Sequence, residues 1–238
     1  MVFGVQSVME TLRSGKEIER LLIQKDQAFP EIQKLAIEMQ VPVSKVPIEK
    51  LQRITRKNHQ GIICFVSPIR YVPIHNVLTQ VFEDGQTPLF LMLDRITDVR
   101  NFGAIARSAE CAGSQALIVP FKGGAQINSD AMKTSSGALN YLPVSREGSI
   151  LDTLHYLRDS GMQVVACTEK GEGNLYEVDF TLPTVIIMGS EEDGISEQLL
   201  KLSDHTVRIP LMGQVESLNV SAATAIILYE AVRQRSTN

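Results

Sequence analysis

The sequence predicts an α/β protein with a mostly parallel sheet covered by helices on both faces, preceded by a small α/β unit. Three observations predict this. From Pro88 onward, short apolar runs alternate with helical segments, as in a parallel sheet buried on both sides. The first seventy residues carry a shorter alternation of their own. Turn chemistry at Asp84-Gly85-Gln86-Thr87-Pro88 separates the second pattern from what precedes it.

In the first unit, Val5, Val8, Met9 and Leu12 fall on one helical face, with Gly15 as a stop. Leu21 to Gln24 is expected as a short strand. Ile32, Leu35, Ala36 and Met39 repeat the helical spacing, and Ile48 to Ile54 is expected as another short helix. Gly61-Ile-Ile-Cys-Phe-Val66 reads as a buried strand. Pro68 and Pro73 then break the pattern, which puts a boundary near residue 70. The expected division is a domain over 1–70, a linker with its own helix over 71–87, and a second domain over 88–238. In the last of these, strands are expected at Leu89–Leu93, Ala116–Val119, Val164–Cys167, Val185–Met188 and Val207–Ile209. Helices are expected at Gly103–Ala112, Ile150–Ser160, Ser196–Leu202 and Ser217–Arg235.

Composition narrows the function. The 238 residues are 44% hydrophobic and 21% charged, ordinary for a folded domain. No apolar run approaches the length of a bilayer span, and the N-terminus lacks the basic-then-apolar layout of a secretory signal. A cytoplasmic protein without membrane contact is expected. Cys64, Cys111 and Cys167 fit neither a zinc ribbon nor a disulfide framework, and the four histidines lack metal-ligand spacing, so no metal is expected. The net charge of −4 is uneven. Residues 1–70 hold 11 Lys and Arg against 7 Asp and Glu, and the rest hold 12 against 20. A basic N-terminal surplus suits contact with phosphates, although ordinary scatter of surface charge gives the same count.

Three segments concentrate polar residues after expected strands. In the first, Asn101 sits near a helix start, where it can cap, and Arg107 follows among Ala104, Ala106, Ala109 and Ala112. Spacing alone leaves Arg107 as either a surface arginine or one that meets a ligand. In the second, a buried strand runs into Gly189 and then Glu191, Glu192 and Asp193. Gly189 would let a ligand approach the backbone, and the acids either accept hydrogen bonds or decorate a helix start. In the third, a strand ends at Pro210 and a small-residue helix begins near Ser217, with Ser217 and Asn219 open to capping or to a site role. The dinucleotide glycine fingerprint is missing, which argues against a dehydrogenase; Gly171-Glu-Gly173 is a poor substitute.

These segments resemble the SpoU branch of the SPOUT RNA methyltransferases. Asn101-Phe-Gly-Ala-Ile-Ala-Arg107 resembles its first motif and Met188-Gly-Ser-Glu-Glu-Asp-Gly194 its second. Ile209-Pro-Leu-Met together with Ser217-Leu-Asn-Val-Ser221 resembles its third. Gly4-Val5 and His59-Gln60-Gly61-Ile62 are similar to the ribosomal-protein-like N-terminal domain of the members that methylate a guanosine in large-subunit rRNA. Phe102, where a smaller aliphatic residue is common, and Glu192-Asp193, where a glycine often stands, depart from the pattern.

The resemblance implies a deep C-terminal trefoil knot, a rare topology, and S-adenosylmethionine held by Met188, Gly189, Ile209, Leu211 and Leu218, largely through backbone. It implies 2′-O-methylation of ribose in structured RNA by Arg107, Asn101, Glu191, Ser217 and Asn219, in a homodimer that brings catalytic groups together. Arg107 is expected to stabilise the forming alkoxide, since guanidinium normally stays protonated. Arg53, Arg56, Lys57 and His59 are expected to grip RNA; a solvated helix end is the alternative. A tRNA ribose methyltransferase and a non-catalytic RNA-binding protein are the rival readings.

Overall fold

The computed structural model describes residues 1–236, so positions 237 and 238 of the expected second domain lie outside the described residues. The chain divides into two compact units, Met1–Arg70 and Tyr71–Asn238.

The first unit runs β1 (Val2–Phe3), α1 (Val5–Arg13), β2 (Ile18–Gln24), α2 (Pro30–Glu38), β3 (Val43–Val46), α3 (Ile48–Ile54) and β4 (Ile62–Val66). Its mixed sheet has the order β1-β4-β2-β3. On one face Leu21, Ile23, Ile62 and Cys64 pack with Val8 and Leu12 of α1 and Ile32 and Ala36 of α2. On the other, Leu22, Val46 and Ile63 pack with Leu51 of α3. The alternation of β2 between these faces is the period-two pattern of a strand. A bulge at Glu19 resets it, so that Ile18 joins Leu21 in the larger core while Arg20 lies opposite Phe65. The strands β1 and β3, two and four residues long, have too few side chains to show a period and were not expected from sequence.

His59-Gln60-Gly61 is a structural turn. The buried His59 imidazole accepts a hydrogen bond from the Gly61 N–H at 3.0 Å, and Gln60 Oε1 accepts one from Val5 N–H at 2.8 Å. Gly61, at φ +77, needs the conformation glycine adopts without strain.

The second unit runs α4 (Ile74–Glu83), β5 (Leu89–Asp94), α5 (Val99–Cys111), β6 (Ala116–Pro120), α6 (Ser129–Thr134), β7 (Val144–Glu147), α7 (Ile150–Asp159), β8 (Gln163–Cys167), β9 (Gly173–Asn174), β10 (Thr184–Gly189), α8 (Glu197–Leu202), β11 (His205–Arg208) and α9 (Val220–Ser236), with short 3₁₀ turns at Ala138–Asn140 and Leu175–Glu177. Its seven strands are parallel throughout, in the order β7-β6-β5-β10-β8-β11-β9. β5 and β10 are apolar along nearly their whole length because they are central and buried on both faces. One face packs under α4, α7 and α8 through Phe90, Met92, Ile118, Val164 and Ile187. The alternating residues Leu91, Leu117, Val165 and Ile186 are equally buried on the opposite side, where α9 lies against β10 and α5.

Segment 71–87 is not a free connector. Ile74, Val77, Leu78 and Val81 of α4 belong to the second unit's core, and Gln86 N–H donates to the Val81 carbonyl to end the helix. The helix α5 begins four residues earlier than its apolar spacing suggested, because Asp98 caps it by accepting the Asn101 N–H at 2.7 Å. Asn101 is therefore not the cap. The last helix begins at Val220 rather than Ser217, and Asn219 takes the capping role by accepting the Ser221 N–H at 2.9 Å. No described helix is long and apolar enough to cross a membrane.

Candidate functional site

The site lies at the carboxyl ends of β5, β10, β8 and β11, the edge where open parallel sheets leave room for a ligand. The loop after β10 is shaped first by glycine. A Cβ on Gly189 would sit 2.2 Å from the Gly194 carbonyl carbon, so no other residue fits. The close approach that requires this glycine is by the chain's own backbone, not by a ligand as the sequence suggested. Ser190 and Gly194 exchange backbone hydrogen bonds at 3.2 and 3.0 Å, closing a tight turn that lifts Glu191 and Glu192 outward.

A clamp from β5 fixes that turn. Asp94, 7% exposed, accepts the Ser196 N–H at 2.7 Å and the Arg95 Nε–H at 3.1 Å. Arg95 reaches on to the Asp193 carboxylate at 3.0 Å and the Gly194 carbonyl at 3.2 Å. Its pKa is raised, chiefly by the hydrogen bond to Asp94. Arg95 holds φ at +59, a conformation side chains rarely adopt, and these contacts hold it there. Asp193 is thus an ion-pair partner, not part of an acidic helix start. Asp94 and Arg95, just past the strand expected at Leu89–Leu93, have no role in the sequence reading.

The three sequence motifs meet in one hydrogen-bonded bridge. Asn101 Nδ2 donates to Glu191 Oε1 at 2.7 Å. Asn219 Nδ2 donates to the same oxygen at 3.0 Å and to Asn101 Oδ1 at 3.1 Å. Segments 90 and 118 residues away from Asn101 are thereby tied to the start of α5.

Beside the bridge is a cavity of about 530 Å³, within the size range of small-molecule sites. Met188, Gly189, Ile209, Leu211 and Leu218, the five residues expected to hold a methyl donor, all line it, as do Glu191, Ser217 and Asn219. Sequence reasoning missed Thr168, Glu169 and Glu216. The first two follow β8, whose end lies next to β10, so strand order rather than any motif places them there. The lining holds three carboxylates, Glu169, Glu191 and Glu216, and no lysine, arginine or histidine. Such a lining favours a cationic group and repels phosphates. Burial, with help from Glu169, pushes the Cys167 thiol at the cavity wall up to about 12, so it stays protonated and non-nucleophilic near neutrality.

Arg107 is not brought to this cavity. It is exposed on α5, whose buried face is Phe102, Ile105, Ala106 and Ala109. Six residues on from Asn101 is about 9 Å along the axis and about 240° around it, so the two side chains leave the helix in different directions. Of the basic residues expected to meet RNA, Arg53, Arg56 and Lys57 are exposed at the end of α3 and beyond it. His59, buried in its turn, is withdrawn from that surface.

Residues 88–229 match the model of the SpoU rRNA Methylase family, and residues 1–72 match that of RNA 2′-O ribose methyltransferase substrate binding. The chain is 35% identical to the 23S rRNA (guanosine-2′-O-)-methyltransferase RlmB of Photobacterium profundum, across 99% of this chain and 98% of that one. Among solved structures it is similar to the AdoMet-bound rRNA methyltransferase from Sinorhizobium meliloti, with a TM-score of 0.63 and 27% identity over 98% of this chain and 86% of the other. It is also similar to the SpoU methyltransferase AviRb from Streptomyces viridochromogenes in complex with AdoMet, with a TM-score of 0.60 and 27% identity over 100% and 90%. The joined motifs, the cavity beside them and these matches agree: the chain belongs to the SpoU rRNA methylase family.

Proposed function

We propose that this protein transfers a methyl group from S-adenosylmethionine to the ribose 2′-hydroxyl of a guanosine in large-subunit rRNA. The observation that carries the reading is the cavity with three carboxylates and no basic side chain, rimmed by the Asn101–Glu191–Asn219 bridge. That lining suits a donor carrying a sulfonium and an ammonium group. The relative named for 23S rRNA guanosine matches both units over nearly its whole length, which favours rRNA over tRNA as substrate.

Bound S-adenosylmethionine supplies a methyl group already activated by the positive charge on sulfur. The chain's own residues then have to orient the ribose and ease the departure of its proton. Met188, Gly189, Ile209, Leu211 and Leu218 enclose the donor, and the carboxylates of Glu169 and Glu216 balance its charge. Asn101 and Asn219 hold Glu191 on the rim, where it faces the incoming ribose with Ser217. Arg107 stabilises the oxygen as negative charge develops and clamps a neighbouring phosphate.

Because Arg107 points away from its own chain's cavity, it serves the cavity of a second copy, and the working unit is a homodimer. The C-terminal chain forms a trefoil knot. In support, the chain leaves β11 and returns past β8 and β10 to pack α9 against α5, with Ile209, Leu211 and Leu218 on the way lining a cavity they share with the loops after those strands. The protein works in the cytoplasm, where ribosomal RNA is made in bacteria such as those of its relatives.

Isothermal titration with S-adenosylmethionine tests the reading. Saturable one-site binding, weakened by Leu218→Glu and unaffected by Arg53→Gln, is expected. No heat of binding at millimolar donor would leave a non-catalytic RNA-binding protein as the better account.

A further inference from the structure

Within the first unit, Arg20 is the side chain whose surroundings its fold does not explain. Its guanidinium carbon lies 4.6 Å from the centre of the Phe65 ring, across the β2–β4 pairing. Its Nε is buried and has no hydrogen-bond partner. Burial lowers its pKa, and the neighbouring Glu19 offsets this in part. A partly desolvated guanidinium with an unused N–H normally finds an acceptor. Alternation with Leu21 and Leu22 puts Arg20 on the face of Leu22 and Ile63, and the bulge at Glu19 lets Ile18 keep the opposite, larger core face.

The face it occupies is one that α3 covers in part. Phe65 and Ile54 both pack against the small cluster under α3, and Ile54 stands between the exposed Arg53 and Arg56. Glu49, Gln52, Arg53, Ile54, Thr55 and Arg56 line a shallow cavity at that end of the helix. The α3 side of the sheet therefore carries a stacked, under-satisfied arginine, and the helix that partly covers it ends in the solvated Arg53 and Arg56, in the unit that holds the chain's basic surplus.

We propose that Arg20, held flat on Phe65, is a phosphate-binding contact for the RNA substrate, taking a backbone phosphodiester on the terminal N–H groups of its guanidinium, which reach solvent while the Nε is buried. The stack and the buried Nε restrict the side chain before RNA arrives, so little freedom is lost when a phosphate accepts from its terminal N–H groups. Arg53, Arg56 and Lys57 add long-range attraction, whereas Arg20 sets position. This inference rests on the rRNA reading above.

The test measures binding of the full-length protein to protein-free large-subunit rRNA over a series of salt concentrations. Arg20→Gln should weaken binding about tenfold and lower the salt slope by roughly one phosphate equivalent. Arg20→Lys, which keeps charge but loses the planar fork, should recover less than half of that loss on a logarithmic scale. Phe65→Leu should weaken binding severalfold with the charge intact, and S-adenosylmethionine binding should not change in any of the three. Ultraviolet crosslinking of the unaltered chain to the same RNA, mapped by mass spectrometry, keeps the test open if a variant folds poorly. Adducts on the peptides around Arg20 or Phe65 are expected. Wild-type affinity and slope in Arg20→Gln, or crosslinks confined to other peptides, would overturn the contact while leaving the rRNA reading intact. Failure of the unaltered protein to bind rRNA at all would overturn both.

Discussion

Single residues set what the cavity can hold. Gly189 is the clearest case, because its missing side chain is the space in which Gly194 and Ile195 pack. Gly189→Ala should destabilise the second unit by about 1–3 kcal/mol, the range for overpacking, and should weaken S-adenosylmethionine binding more than it lowers the melting temperature. Calorimetry and thermal melts on the same sample separate the two effects. Arg107 makes the opposite case, exposed and away from its own cavity. Arg107→Lys keeps the charge and loses the fork, so methylation should fall on the order of 10²-fold or more with donor affinity near wild type. Wild-type turnover in that variant would remove Arg107 from the mechanism. The residues that line the cavity were readable in the sequence where a motif carried them, as with Gly189, Leu218 and Asn219. Glu169 and Glu216 were not, since a glutamate after a strand has no signature until the strands are placed in order. His59 was misread for a related reason: a polar residue among basic ones looks solvated until its turn is seen to bury it.

Elements explain how distant loops keep register. The end of α9 is locked by Arg235, whose guanidinium donates to the carbonyls of Phe180 at 2.8 Å, Thr87 at 2.7 Å, and Pro88 and Leu182 at 3.0 Å. Removing it leaves four carbonyls to find water, so Arg235→Ala should cost about 2–4 kcal/mol, measured by urea unfolding. One turn earlier, Glu230 is 6% exposed and accepts from Arg233 at 2.7 and 2.8 Å and from Gln234 at 2.8 Å. The hydrogen bond from Arg233 is the main reason its carboxyl titrates below the usual range. A depressed pKa in the folded state means the stabilisation is present above the unfolded value of about 4.3 and is lost as pH falls through the lower, folded value. Glu230→Gln should therefore lower the melting temperature at neutral pH and flatten its decline below about pH 4.3. An unchanged acid limb would show that the pair contributes nothing. The long central strands and amphipathic helices were legible because burial on one or both faces writes a period into them. The edge strands β7 and β9 and the helix α6, six residues or fewer, were not. Their positions follow from pairing and capping that only the assembled sheet supplies.

Each of the two units has its own core, and the division between them falls at Arg70 and Tyr71. A chain beginning at Tyr71 keeps α4, and with it a complete core. It should bind S-adenosylmethionine as the intact protein does and lose most rRNA methylation; full rRNA activity would show that the first unit does not select the target. A cut at residue 88 should fare worse, because it strips Ile74, Val77, Leu78 and Val81 from the sheet. Light scattering at micromolar concentration should find a dimer, as the proposed service of Arg107 to a second copy's cavity predicts. As proposed, the cavity beside the Asn101–Glu191–Asn219 bridge delivers a methyl group to a ribose oxygen. The most direct test of that delivery is transfer of labelled methyl from S-adenosylmethionine to large-subunit rRNA, followed by nucleoside analysis and mapping of the modified position. Label should appear in 2′-O-methylguanosine at a single site and be abolished by Asn219→Ala. Label on a base, or none in rRNA under conditions where the donor binds, would contradict it.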